Sequence, residues 1–176
     1  MTAHATEIDA LKAGVFDPAR EAPDFSVRGS DGAALTLSRY RGKVVVLGFG
    51  YTSCPNVCPV TLAILAQAHR KLGALGSQVQ IIYITVDPER DSAERLRQYL
   101  ASFDPTFVGG TGTASQMAAV RKSYGVTAEK HGTGSDYAVS HSSFVYLITR
   151  EGKLRALMPF GHKADDYVHD ISMLLN

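Results

Sequence analysis

The chain holds only two cysteines in 176 residues, too few for the bridged scaffold of small secreted domains. It has no excess of either charge: 18 Lys+Arg against 17 Asp+Glu leave a formal net charge of +1. Nucleic acids and anionic membrane surfaces demand clustered positive charge, so this balance argues against both. The longest unbroken apolar run, Val44-Val45-Val46-Leu47-Gly48-Phe49-Gly50, falls far short of the ~20 residues that span a bilayer. Residues 1–9 show no basic stretch followed by an apolar one, and so no signal-peptide pattern. There is no internal repeat and no low-complexity segment. What remains is an ordinary globular composition, 45% hydrophobic and 20% charged, at the length of a single domain.

Residues 1–21 have weak periodicity and contain Gly14 and Pro18, which predicts an irregular arm ahead of a domain over 22–176. Residues 22–27 alternate polar and apolar, Gly29-Ser30-Asp31-Gly32 is a turn, and residues 35–37 are again strand-like, so an edge β-hairpin is expected. Residues 43–49, 80–86 and 144–148 are unalternating β-branched or aromatic runs, the pattern of strands buried on both faces. Helices are predicted over 59–72 and 165–175, after Asp91 with Glu94, and after Thr113 with Gln116, the last two being capping-box spacings. Residues 154–157, after the turn at Gly152, are expected to pair antiparallel with the third buried strand. Buried strands alternating with helices imply an α/β fold with a mixed central sheet flanked by helices. The late strand–turn–strand and closing helix make it thioredoxin-like, with the hairpin as an N-terminal extension.

The two cysteines lie in Tyr51-Thr52-Ser53-Cys54-Pro55-Asn56-Val57-Cys58-Pro59, directly after the first buried strand. Each precedes a proline, which pushes it away from helical geometry. The expectation is a tight loop with Pro59 at the first helical position and Cys58 at the N-cap. The positive end of the helix dipole would then favour the Cys58 thiolate. Inert core packing is the bland alternative, but a proline-bracketed loop is a poor way to fill a core. The CxxxC spacing lets two sulfurs pinch a metal and still close as a disulfide. Two sulfurs leave Cu(I) two-coordinate, and one imidazole would complete a trigonal set.

Six histidines are available. His4 in the arm and His69 on a helix are expected at the surface, His162 and His169 in solvent, and His131 in a mobile Gly-rich loop. His141 differs, because it directly precedes the third buried strand, which in a thioredoxin-like domain enters beside the redox loop. A local hydrogen bond is its alternative role.

The cysteine segment, together with Thr85-Val86-Asp87-Pro88-Glu89-Arg90-Asp91 and Asp136-Tyr137-Ala138-Val139-Ser140-His141, resembles the Sco/SenC family of copper-binding, thioredoxin-like assembly factors for cytochrome c oxidase. The resemblance covers roughly residues 22–175. It implies that Cys54, Cys58 and His141 ligate copper as Cu(I) and Cu(II), and that Asp87 and Asp91 support the site or a docking surface. Two other roles are open to the acids on sequence alone: a cap for Asp91 and a turn at Asp87-Pro88. The implied partner is the copper-site subunit of the oxidase, with another periplasmic copper chaperone or a thiol reductant upstream. A monomer on the periplasmic side of the inner membrane is expected, held by an anchor absent from this chain.

Two functions compete on the same sulfurs. The first is a copper metallochaperone. The second is a thiol–disulfide oxidoreductase in which Cys54 and Cys58 cycle as a redox-active pair and reduce the oxidase subunit's copper-ligand cysteines. A peroxidase is weaker, since Tyr51 stands where that chemistry wants a threonine three residues before the reactive cysteine. A closed zinc site is disfavoured because it takes four ligands.

Overall fold

The structure, a computed structural model, describes residues 10–176. The strands and helices follow in the order β1 (Gly14–Glu21), β2 (Ser26–Gly29), β3 (Ala34–Thr36), β4 (Val44–Gly50), α1 (Val57–Leu72), β5 (Val79–Thr85) and α2 (Ala93–Ala101). They continue with β6 (Val108–Thr111), α3 (Ala114–Ser123), β7 (Ala128–His131), β8 (Ala138–His141), β9 (Val145–Ile148), β10 (Lys153–Met158) and α4 (Ala164–Leu175). Eight strands form one mixed sheet in the order β1-β10-β9-β4-β5-β6-β2-β3, while β7 and β8 make a separate antiparallel pair.

β4 is buried at all seven positions, as a β-branched run must be when helices cover both sheet faces. β5 lies parallel beside it, from Val44 opposite Val79 to Gly50 opposite Thr85, and β6 runs parallel to β5. β9 is antiparallel to β4, and β10 to β9, as the turn at Gly152 predicts. The β2–β3 hairpin extends the far edge through β6. α1 and α4 pack against each other, and α2 lies on β6. Thr113 and Gln116 form the expected capping box at the start of α3. Among the described residues, no helix is long and apolar enough to cross a membrane.

Three departures from the sequence reading have physical causes. Residues 14–21, expected to be irregular, form an edge strand; residues 1–9, with His4, lie outside the described residues. β1 shows no apolar alternation because most of its residues face solvent. Its place is set instead by pairing with β10 and by Asp170 on α4, whose buried carboxylate accepts the Lys12 and Ala13 N–H groups at 2.8 and 2.9 Å. β6 was not legible because Gly109 and Gly110 make up half of it. A Cβ on Gly110 would approach Ile84 Cδ1 to 2.6 Å and Val27 Cγ2 to 2.9 Å, so close packing between strands excludes any side chain there. α2 is capped by Ser92, whose hydroxyl accepts the Arg95 N–H, and not by Asp91.

Candidate metal centre

The parallel strands β4 and β5 end at Gly50 and Thr85. Open α/β sheets offer their binding crevice beyond the carboxyl ends of such strands, and both cysteines lie there. Cys54 sits half-buried in the loop that leaves β4, and Cys58 is buried at 1% exposure. Cys58 does not cap α1 from outside, as its proline neighbour led us to expect. Asn56 is the N-cap residue and Cys58 lies in the first helical turn. Amides of that turn have no acceptor within the helix, so the missing N–H of Pro59 costs little there, and the bias on the preceding residue is overridden. The Cys58 N–H points back to Cys54 Sγ at 3.5 Å. The free end of the helix therefore faces the Cys54 sulfur.

Burial, not the helix, dominates Cys58. Desolvation pushes its thiol up to about 12, against the opposing pull of the Tyr83 hydroxyl. The expected dipole-stabilised thiolate is thus overturned: near neutral pH Cys58 is a thiol. His141 closes the site from the end of β8, with Nε2 3.4 Å from Cys58 Sγ and Nδ1 2.8 Å from the Ser142 carbonyl oxygen. A carbonyl only accepts, so Nδ1 carries the proton and Nε2 presents its lone pair to the thiol, which donates. Burial lowers the His141 pKa, the Ser142 carbonyl notwithstanding, and keeps the ring neutral. Tyr51 holds it edge-on at 5.9 Å between centroids and accepts the Val139 N–H at 3.2 Å.

The three potential donor atoms, two sulfurs and an imidazole nitrogen, lie within 4.8 Å of one another. The cleft above Cys58, walled by Val57, Thr61, Tyr83, His141 and Phe144, encloses only about 10 Å3. That space suits an ion or a single water, not an organic cofactor. Among the described residues no fourth Cys, His, Asp or Glu joins the group, which fits a three-coordinate soft ion better than a closed zinc site.

Asp87 and Asp91 are buried, at 3% and 0% exposure, and do different jobs. Asp91 accepts the Thr52 N–H at 3.0 Å, the Thr52 hydroxyl at 2.6 Å and the Thr85 hydroxyl at 2.7 Å. It thereby ties the start of the cysteine loop to the end of β5. Asp87 accepts the Tyr137 hydroxyl at 2.5 Å and pairs with Arg90. The Arg90 guanidinium and the Lys130 ammonium lie 3.7 and 3.8 Å from the Tyr137 ring centroid. The hairpin bearing His141 is thus clamped to the same turn that secures the cysteines. Nothing in the chain marks Thr52, Tyr51, Tyr83 or Tyr137 for these roles; the one available signal is a tyrosine among the isoleucines of β5.

The other histidines stay away from the centre. His131 is exposed on β7 and bonds to Ser140. His162, half-buried, and His169, exposed, pair with Asp166 and Asp170. His69 is not a surface residue: it bridges Asp104 and the Gly76 carbonyl at 2.9 and 3.2 Å.

The fold and site together define a thioredoxin-like domain whose two thiols and one imidazole converge beyond its parallel strands. Residues 15–176 match the SCO1/SenC family. The bovine mitochondrial protein SCO2 homolog is 40% identical over 133 residues, spanning 73% of this chain and 50% of that protein. The structure of Bradyrhizobium japonicum ScoI with copper bound superposes with a TM-score of 0.82 at 33% identity, covering 88% of this chain and 99% of that one. BsSco, described as a member of the Sco family of cytochrome c oxidase assembly proteins and as carrying a disulfide switch, gives 0.72 at 26% identity, covering 89% and 94%. The chain belongs to the SCO1/SenC family. It spans about half the length of the bovine relative it matches.

Proposed function

We propose that this chain carries one copper ion as cargo, held by Cys54, Cys58 and His141, and hands it to the copper-site subunit of cytochrome c oxidase. The observation that carries this reading is the convergence of two sulfurs and Nε2 within 4.8 Å of one another. Two thiolates select Cu(I), and the imidazole lets the same site hold Cu(II). Asp87 and Asp91 act as supports for the ligand-bearing loops. Copper comes from another periplasmic chaperone, and the protein works as a monomer on the periplasmic side of the inner membrane.

A second reading is favoured by the half-buried Cys54, which accepts the Cys58 N–H. The metal-free dithiol would reduce a disulfide in the oxidase subunit. The Cys54 thiolate attacks one target sulfur, forming a mixed disulfide and releasing the other target thiolate. Cys58, losing its proton, then displaces the second target thiolate and closes the Cys54–Cys58 disulfide. Two electrons pass to the target, and a thiol reductant restores the pair.

Copper content per chain, measured under reducing and oxidising conditions, tests both. The first reading predicts one copper in reduced protein and an intense sulfur-to-copper band on Cu(II) loading, both lost in Cys54→Ser or Cys58→Ser. His141→Ala should abolish the Cu(II) band while sparing much of the Cu(I) affinity. An unchanged Cu(II) spectrum in that variant would sink the ligand assignment. Reduction of a target disulfide by metal-free His141→Ala at the wild-type rate would support the second reading.

A further inference from the structure

Tyr83 is out of place by ordinary packing rules. It stands in β5 among Ile81, Ile82 and Ile84, is 1% exposed, and its hydroxyl has no hydrogen-bond partner among the described residues. Buried hydroxyls almost always find one. A phenylalanine would fill the same space without stranding a polar atom.

The neighbouring strand is shaped around this ring. Gly48 of β4 lies opposite Tyr83, and a Cβ there would press on the ring at 3.2 Å. A Cβ on Gly50 would sit 1.7 Å from Tyr83 Oη and 2.8 Å from Cys58 Sγ. The phenol oxygen and the cysteine sulfur therefore crowd the same point over the Gly50 Cα. Two glycines inside a central strand weaken it, and such glycines mark a close approach. Here what approaches is the tyrosine, and what it reaches is the buried sulfur.

We propose that Tyr83 is a positioning residue whose hydroxyl donates a hydrogen bond to the Cys58 sulfur once that sulfur is charged, tuning its bond to the metal. This rests on the copper reading above. A neutral thiol is a weak acceptor, which accounts for the idle hydroxyl; a thiolate, free or metal-bound, is a strong one. The mutual influence of the two groups agrees: the Tyr83 hydroxyl works against the rise in the Cys58 pKa, and Cys58 adds to the burial that lifts the Tyr83 phenol. A donor at sulfur withdraws electron density from the copper–thiolate bond. Hydrogen bonds to ligating sulfur are an established lever on metal potentials. The effect favours Cu(I) over Cu(II).

The test is Tyr83→Phe in the full chain, with folding checked by circular dichroism and thermal melting. The expected result is a fold intact, a sulfur-to-Cu(II) band moved to longer wavelength, and a lower Cu(II)/Cu(I) potential. A deuterium shift of the Cu–S vibration, measured after refolding in D2O, should shrink in Tyr83→Phe relative to wild type. An unmoved band and potential in a folded variant overturn the proposal. Were the variant not to fold, the absence of any deuterium shift in the wild type would overturn it alone. Should the wild type take up no copper, the copper reading fails by itself. The proposal is then decided by alkylation of Cys58 across pH in a Cys54→Ser background: Tyr83→Phe should need a higher pH for the same rate, and coincident profiles reject it.

Discussion

Asp91 accepts both the backbone N–H and the hydroxyl of Thr52, at 3.0 and 2.6 Å, from a fully buried position. One carboxylate thus sets the start of the loop that carries both cysteines. Asp91→Ala should remove the acceptor for the Thr52 and Thr85 hydroxyls and for the Thr52 amide. We expect a loss of about 3 kcal/mol, since breaking charged, buried hydrogen bonds costs on the order of 2–4 kcal/mol. Thermal denaturation should show Tm lowered by about 6–12 °C. Copper affinity should fall in the same variant even where it is fully folded, because Cys54 loses its anchor two residues upstream. Wild-type copper affinity in the folded variant would contradict this.

Tyr137→Phe isolates the other half of the clamp. It removes the 2.5 Å hydrogen bond to Asp87 but keeps the ring between Arg90 and Lys130. Stability should drop by about 1–2 kcal/mol. The hairpin that bears His141 should loosen, so Cu(II) affinity falls several-fold while Cu(I), held by the sulfurs, changes little. Competition titrations with chelators for each oxidation state would read this split; equal losses for both ions would contradict it.

The buried Cys58 thiol gives a pH signature. Its pKa lies at about 12 in the folded protein, because burial disfavours the thiolate, against about 8.5 in an unfolded chain. The folded state then holds the proton more tightly. Stability from this group is fully present below about pH 8.5 and is lost as pH rises towards 12. The buried phenols of Tyr124 and Tyr167, also raised by burial, act in the same sense at higher pH. Urea denaturation of reduced, metal-free protein should show stability falling between pH 8.5 and 11, with a smaller slope in Cys58→Ala. Copper must displace the Cys58 proton, so apparent affinity should rise about tenfold per pH unit for each proton released.

Asp104 works in the opposite window. Burial alone would raise its pKa, but the Thr106 hydroxyl and amide and the His69 imidazole together hold it below the usual carboxylate range. A depressed value gives stability that is present above about pH 4 and lost as pH falls through the folded value. Asp104→Asn should cost about 1–2 kcal/mol at pH 7. The deficit should shrink as pH falls through the folded value, where the wild-type carboxyl becomes neutral like the asparagine amide. A deficit that does not change with pH on the acid side would contradict the assignment.

The buried strands β4, β5 and β9 could be read from the chain because their apolar character is local and continuous. So could the three residues that converge at the site, since the cysteine segment and the residues before His141 are short motifs. What escaped depends on partners far away in sequence. β1 is a strand only because β10 and Asp170 hold it, and β6 is half glycine. Asp91 carried the spacing of a cap, yet its carboxylate turns inward to Thr52 and Thr85, leaving Ser92 to start α2. The acidity of Cys58 was misjudged for a related reason. A helix end is visible in sequence, whereas the depth of the sulfur beneath Tyr83 and His141 is set by the packed sheet.

The unequal burial of the two cysteines gives the centre a front and a back. Cys54 is half-buried, while Cys58 lies behind it at 1% exposure, under His141 and over Tyr83. An incoming ligand, whether a donor's sulfur or a target's, would meet the half-buried Cys54 or His141 before the buried Cys58. On the copper reading proposed above, exchange would have a built-in sequence: Cys54 and His141 would bind first and let go first, and Cys58 would hold the cargo until the transfer is complete.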